Sequence, residues 1–235
     1  MTTAPLPDRV LLATEQSARA GFTMSCDPGT GRLLAVLAAA VPPAGRILEL
    51  GTGTGVGTAW MTSGLQDRTD VEVLTVETDQ ATAQVAATGT WPEFVRFVVG
   101  DAVEITRLSG SFDLIFADAQ GGKWEGLGTT VAALRPGALL LVDDMTPGEF
   151  IDDNHARKTR EVRARLLGHP HLISVEIAWS TGLILATRAG EPRMSAFRPS
   201  SGCTASMRLR RWSVSVGTGR GHRLLGPWRS RRRGH

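Results

Sequence analysis

Short apolar runs recur along most of the chain, each followed by a stretch of mixed polarity. The runs are RILEL (46–50), VEVLTV (71–76), FVRFVV (94–99), FDLIFA (112–117) and ALLLV (138–142). Several are apolar almost throughout, as strands buried on both faces must be; a strand with one wet face would alternate. The segments between them, 54–65, 78–89, 101–108 and 122–134, have the length of crossover helices. Strands and helices in alternation predict an α/β fold with a doubly wound, mostly parallel sheet. Upstream, Asp27 and Pro28 read as an N-cap and first-turn pair that starts a helix through LLAVLAAAV, which Pro42-Pro43 ends.

The pattern changes after a helix near 152–168. HLISVEIAW (171–179) and GLILATR (182–188) are separated only by Ser180-Thr181, too short for a parallel crossover, so these two strands must pair antiparallel. The sheet then has seven strands, with a final antiparallel one. From residue 189 onward no helical or strand period survives, and Gly, Ser and Arg dominate. The expected division is a folded domain over 1–188 and a basic, disordered tail over 189–235.

Composition narrows the picture. A chain of 235 residues with 42% hydrophobic content supports one α/β domain with a full core. The longest apolar run, Leu33 to Val41, is far short of the about 20 residues that span a membrane, so no membrane association is expected. The start, MTTAPLPDRV, lacks the basic and apolar regions of a signal peptide. Cys26 and Cys203 are too few for a disulfide framework or a zinc cluster, and a reducing cytoplasm fits them. The net charge of +3 hides a division: the tail carries 11 arginines against one acid, while residues 1–188 carry 15 basic against 22 acidic residues. Such a tail could contact nucleic-acid phosphates. Its abrupt loss of patterning favours the other reading, an extension outside the original reading frame.

Ligands of an α/β sheet bind beyond the carboxyl ends of its strands. There the chain places Glu49 and a glycine loop, Glu77, Asp101, Asp118 and Asp143-Asp144, an acidic rim with no Lys or Arg in the loop. The stretch ILELGTGTGVG (47–57) breaks the dinucleotide pattern, because Val56 stands where G-x-G-x-x-G needs its last glycine, and no Gly-Lys-Ser/Thr follows to make a phosphate loop. An acid two residues before the loop suits a positively charged ligand. S-adenosylmethionine carries an ammonium and a sulfonium and no phosphate.

In these pieces the chain resembles the class I S-adenosylmethionine-dependent methyltransferases, and within them the small O-methyltransferases related to catechol methyltransferases. The resemblance covers residues 8–188 and rests on ILELGTGTGVG, TVETD (75–79), VVGDA (98–102), FDLIFADAQGGKW (112–124), LRPGALLLVDDM (134–145) and WSTGLILATR (179–188). GFTMSCDPGTGRLL (21–34) looks like the entry segment of a subgroup. The resemblance implies that Gly51, Thr52, Gly53 and Gly55 lie along the methionine part of the cofactor, with Glu49 near its ammonium. Glu77 and Thr78 would meet the ribose, Asp101 and Ala102 the adenine, and Asp118 the edge of the same pocket. Other roles remain open at this stage: the glycines could serve only the turn, and Glu77 or Asp101 could merely cap the next helix.

For the chemistry, the resemblance implies a divalent metal that binds the acceptor oxygens, held by an Asp after the fourth strand and an Asp-Asn pair after the fifth. Asp118 and Asp143 match, and Asp144 replaces the Asn. Oxygen ligands suit magnesium; three carboxylates repel one another unless a cation is bound. The alternative is that Asp118 lines the cofactor pocket while Asp143 and Asp144 bond backbone amides in the loop MTPGEF. The relatives carry a base lysine three residues after the first metal Asp. Here Lys123 comes five residues after Asp118, behind Gly121-Gly122; with Asp118 it is the catalytic candidate, reaching the same place through a longer loop, and the alternative is a solvated loop lysine. His155, in the first turn of its helix, is read as an alternative base or as solvated, Trp124 and Trp179 as an acceptor wall or core, and Cys26 as structural.

The expected function is therefore O-methylation of a small hydroxylated, phenolic or catechol-like molecule by an enzyme that forms a homodimer. A nucleic-acid methyltransferase is the alternative, supported only by the tail. Asp118-Ala119-Gln120-Gly121 lacks the Pro-Pro-aromatic signature of exocyclic-amine enzymes. A non-catalytic S-adenosylmethionine-binding protein is the third reading.

Overall fold

The computed structural model describes residues 5–146 and 153–190. Two helices, α1 (Asp8–Arg19) and α2 (Pro28–Ala39), precede the first strand, β1 (Arg46–Leu50). Then follow α3 (Val56–Leu65), β2 (Glu72–Glu77), α4 (Gln80–Ala87), β3 (Val95–Val99), α5 (Ala102–Leu108) and β4 (Phe112–Ala117). The last part comprises α6 (Gln120–Lys123), α7 (Leu127–Ala132), β5 (Leu134–Val142), α8 (Asp153–Leu167), β6 (Leu172–Ile177) and β7 (Leu183–Arg188).

The strands form one sheet in the order β3-β2-β1-β4-β5-β7-β6. β1 to β5 pair in parallel, and β7 runs antiparallel to both neighbours, β5 and β6. The seven strands and the single antiparallel one are those expected. Alternate side chains of each inner strand enter opposite cores. Ile47, Val73, Leu114, Phe116 and Leu141 meet α1, α2 and α3 on one face. Leu48, Leu74, Ile115, Leu140 and Ile184 meet Ala102 of α5, Val131 of α7 and Val162 of α8 on the other. Because β2 lies on one side of β1 and β4 on the other, the strand order reverses there, and a crevice opens beyond the ends of β1 and β4.

Three local expectations need correction. The crossover expected over 122–134 is split into two short helices, because Gly121 and Gly122 leave helical geometry and Gly126, at φ 74°, starts a new turn. β5 begins earlier than expected, at Leu134, and runs through Pro136-Gly137 with an irregular register against β4. Helix α1 was not anticipated: it buries Val10, Ala13 and Ser17 but exposes Leu11 and Leu12, so its two largest apolar side chains face away from the core. The tail from residue 191 and the loop 147–152 lie outside the described residues. Among the described residues, no helix is long and apolar enough to cross a membrane.

Candidate active site

The crevice contains a cavity of about 580 Å³ whose lining includes Glu49, Glu77, Asp79, Asp101, Asp118 and Glu125 and, among the described residues, no Lys, Arg or His. The glycine loop forms its floor. The amides of Gly51 and Thr52 both donate to the carbonyl of Val76, at 2.9 and 3.1 Å, which ties the loop to the end of β2. At Gly51 the backbone has φ 100°, and a Cβ would stand 3.0 Å from the Asp118 carbonyl oxygen, so only glycine lets the loop lie against the end of β4. Val56, the residue that breaks the dinucleotide spacing, is buried in the core shared with α1 and α2 and also borders the cavity.

Glu49 is the most unusual group of the site. Its carboxylate is 1% exposed. Oε2 accepts from the Thr58 hydroxyl and from Thr75 Oγ1 at 2.6 Å, and Thr75 lies 2.5 Å from the hydroxyl of Thr52. Oε1 has no hydrogen-bond partner among the described residues. Burial pushes the Glu49 pKa up to about 7 against the pull of the two threonine hydroxyls. A buried carboxylate oxygen without a donor, in a cavity rich in negative charge, is a site for a cation that brings its own N–H groups. Thr58 and Thr75, which hold Glu49, were missed in the sequence; their signal is a hydroxyl inside an otherwise apolar helix or strand.

At the end of β2, Glu77 Oε1 accepts from the amides of Thr78 and Asp79 at 2.9 and 3.1 Å, and Oε2 from the amide of Gly53 at 2.9 Å. Glu77 therefore joins β2 to the glycine loop and does not cap a helix. Asp79 performs that task for α4, accepting from the Thr82 amide at 2.7 Å. At the end of β3, Asp101 does cap α5, accepting from the Glu104 amide at 2.8 Å, and it lines the cavity beside Ala102 as well.

The other side of the cavity differs from expectation. Lys123 is 2% exposed and not solvated. Gly122, at φ 89°, places its Cα where a Cβ would be 2.2 Å from Leu50 Cδ1, and its carbonyl accepts from Thr130 Oγ1 at 2.8 Å. That turn folds Lys123 back under Asp118. The lysine Nζ lies 3.0 Å from Asp144 Oδ2, 3.2 Å from the Asp143 carbonyl oxygen and 3.9 Å from Asp118 Oδ1. Burial raises the Asp118 pKa well above the usual range; the Lys123 ammonium opposes the rise, while Asp143, Asp144 and Glu49 add to it. Asp143 is also raised by burial, opposed by the hydroxyl of Thr181, which donates to its Oδ1. The Asp144 amide donates to the same Oδ1 at 2.7 Å, so Asp143 does bond a backbone amide, though not in the MTPGEF loop.

His155 is buried and not solvated: its ring meets Trp124 edge-on at 4.7 Å. Its place heads the buried stripe His155, Thr159, Val162, Leu166 of α8, a helical spacing legible in hindsight. Trp124 packs against the core and has Lys123 and Lys158 over its ring, whereas Trp179 is half-exposed beside Gly29. Cys26 lines the cavity; burial and the carboxylates of Asp118, Asp143 and Glu49 push its thiol up, which keeps it protonated and unreactive.

Comparison with known proteins follows the same lines. Residues 48–145 match the family model described as a methyltransferase domain. The chain is 30% identical to an inferred O-methyltransferase of Mycolicibacterium vanbaalenii, over 77% of this chain and 84% of that one. It is 32% identical to a catechol O-methyltransferase of Niastella koreensis, over 63% and 71%. The crystal structure of an inferred O-methyltransferase from Klebsiella pneumoniae superposes with a TM-score of 0.69 at 26% identity, covering 79% of this chain and 92% of that one.

Proposed function

Since this chain belongs to the O-methyltransferase family, we propose that it transfers the methyl group of S-adenosylmethionine to a hydroxyl of a small phenolic or catechol-like acceptor. The observation that carries the cofactor is the cavity itself: acids without a basic residue, floored by a glycine loop, with Glu49 Oε1 buried and lacking a donor. These residues fit a ligand with an ammonium and a sulfonium and would repel a pyrophosphate. Glu49 and the loop Gly51, Thr52, Gly53 and Gly55 would hold the methionine part. Glu77 and Thr78 would take the ribose, and Asp101 and Ala102 the adenine. Bound there, the cofactor supplies an electrophilic methyl carbon.

The acceptor hydroxyl comes to Asp118, which borders the cavity beyond the glycine loop. A carboxylate whose pKa is raised by burial is a better base than one in water, and Asp118 takes the hydroxyl proton as the oxygen attacks. With S-adenosylmethionine held there, the methyl carbon would bond to the acceptor oxygen as its bond to sulfur breaks, the electron pair going to sulfur; a methyl ether and S-adenosylhomocysteine would leave, with the acceptor's proton on Asp118. Holding oxygen and methyl in line supplies much of the rate. The free thiol of Cys26 accords with a cytoplasmic setting.

Thermal unfolding tests the cofactor: S-adenosylmethionine raises the melting temperature and NAD leaves it unchanged. No shift with either ligand overturns the reading. A methyl-transfer screen over phenols, catechols and aliphatic alcohols then reads the acceptor class, and turnover of none of them removes the phenolic assignment.

A further inference from the structure

The acids of the acceptor side do not present a donor set for a divalent cation. Octahedral magnesium needs oxygens at about 2.0–2.1 Å converging on one point. Asp143 Oδ1 is taken by Thr181 and by the Asp144 amide. Asp144, on a left-handed backbone at φ 58°, turns Oδ2 onto Lys123. Between Asp144 and Asp118 stands an ammonium, not a space: Nζ is 3.0 Å from one carboxylate and 3.9 Å from the other. Among the described residues no group of three His, Cys, Asp or Glu is arranged to hold a metal.

Resting on the methyltransferase reading, we propose that Lys123 is the resident cation of this site, a positioning residue standing among the acids to which the family resemblance would assign a divalent metal. The ammonium has three N–H groups. Two are spent on Asp144 Oδ2 and the Asp143 carbonyl, and the third side of the charge faces Asp118. Its charge offsets the mutual repulsion of the three acids and fixes the Asp118 carboxylate at the cavity wall. The substitution in the resembling pattern then has a physical reason. An Asn accepts from a lysine only weakly, whereas an Asp closes an ion pair with it. Asp and Asn both tolerate the left-handed backbone at position 144.

A consequence for substrate follows. A metal that chelates two neighbouring oxygens selects catechols; a site without it needs only one ionisable hydroxyl. The enzyme methylates monophenols as readily as catechols, and its turnover does not depend on added metal.

The experiment uses the full-length chain with S-adenosylhomocysteine bound and manganese as the probe, read by electron paramagnetic resonance. Wild type leaves manganese in its free form, and Lys123→Arg does the same. Lys123→Ala, which uncovers the carboxylates, gains a bound-manganese signal that Asp118→Asn in the same chain removes. Turnover in EDTA equals turnover in magnesium for wild type; it falls by about tenfold or more in Lys123→Ala and recovers in Lys123→Arg. Manganese bound to wild type and lost in Asp118→Asn, or turnover abolished by EDTA, overturns the proposal. Manganese bound to neither wild type nor Lys123→Ala also overturns it, because the lysine would then not stand in a cation's place. The manganese measurement does not require a known acceptor, so it remains decisive if the acceptor screen fails, and the thermal shift separately reports whether the cofactor reading has failed.

Discussion

Beyond β1, β2 and β3 the acids lean on hydroxyls and backbone amides; beyond β4 and β5 two of the three, Asp118 and Asp144, lean on a lysine, and only Asp143 keeps a hydroxyl and an amide. Glu49 rests on Thr58 and Thr75, Glu77 on the amides of Gly53, Thr78 and Asp79, and Asp101 on the amide of Glu104. Asp118 and Asp144 flank the Lys123 ammonium. Amide and hydroxyl donors orient a carboxylate but leave its charge in place, so the first side stays attractive to a cationic cofactor. An ammonium offsets part of the charge, so the second side can take a neutral hydroxyl and stabilise it as it loses a proton. One rim of acids thus serves two purposes, according to what stands behind it.

The sharpest way to break this contrast is Asp118→Asn, which removes the base and keeps the shape. Turnover is expected to fall by about 10²–10⁴, while S-adenosylhomocysteine affinity, measured by calorimetry, changes little. Equal losses in both would merge the two sides into one. Glu77→Ala acts on the other side. It removes an acceptor of three amides and of the ribose, and should weaken S-adenosylhomocysteine by about 1.5–3 kcal/mol, enough to lose the thermal shift.

A smaller effect comes from Glu49. Its pKa is about 7 in the folded chain against an ordinary value of 4.5, so the folded state holds a proton that the unfolded state has released between those values. Stability is therefore highest below the lower value and falls as pH rises through the window, by on the order of 3 kcal/mol at most. An ammonium beside Oε1 reverses the preference and lowers the pKa. Cofactor binding near pH 6 should release a proton, and affinity should rise several-fold with pH up to about 7 and then level off. Calorimetry in buffers of different ionisation enthalpy measures the release; no proton release would mean that Glu49 does not meet the ammonium. The smallest expected effect is Asp101→Asn, because Asn caps a helix about as well as Asp. Stability should stay within about 0.5 kcal/mol, and a few-fold loss of cofactor affinity would then report the adenine contact alone.

The two sides also differ in how much of each could be read from the residues. Glu49, the loop and Glu77 follow from strand ends: once RILEL and VEVLTV are strands, chain geometry places what comes next. Val56 argued against a dinucleotide through its place in the glycine spacing alone. Lys123 could not be placed in this way. Its position depends on a turn at Gly121-Gly122 that resembles a helix in pattern, and on Leu50 pressing against Gly122 from another strand. A buried lysine is rare and reads as exposed in any single sequence. His155 failed for the same reason, since the stripe that buries it is visible only when Thr159 is counted as an inward residue. Helix α1 was hidden by Leu11 and Leu12, which face out.

The turn between β6 and β7 carries one more implication. Met145 and Thr146 donate to the carbonyls of Gly182 and Thr181, and Thr181 holds Asp143, a partner 38 residues earlier in the chain. A ribosome releases the glycine loop, Glu77 and Asp101 well before it reaches that turn, but a domain folds as a unit, and the loop itself packs on the end of β4. The ends of β4 and β5 stay unclamped until β7 takes its place between β5 and β6. Chemistry becomes available only when synthesis of the domain is nearly finished.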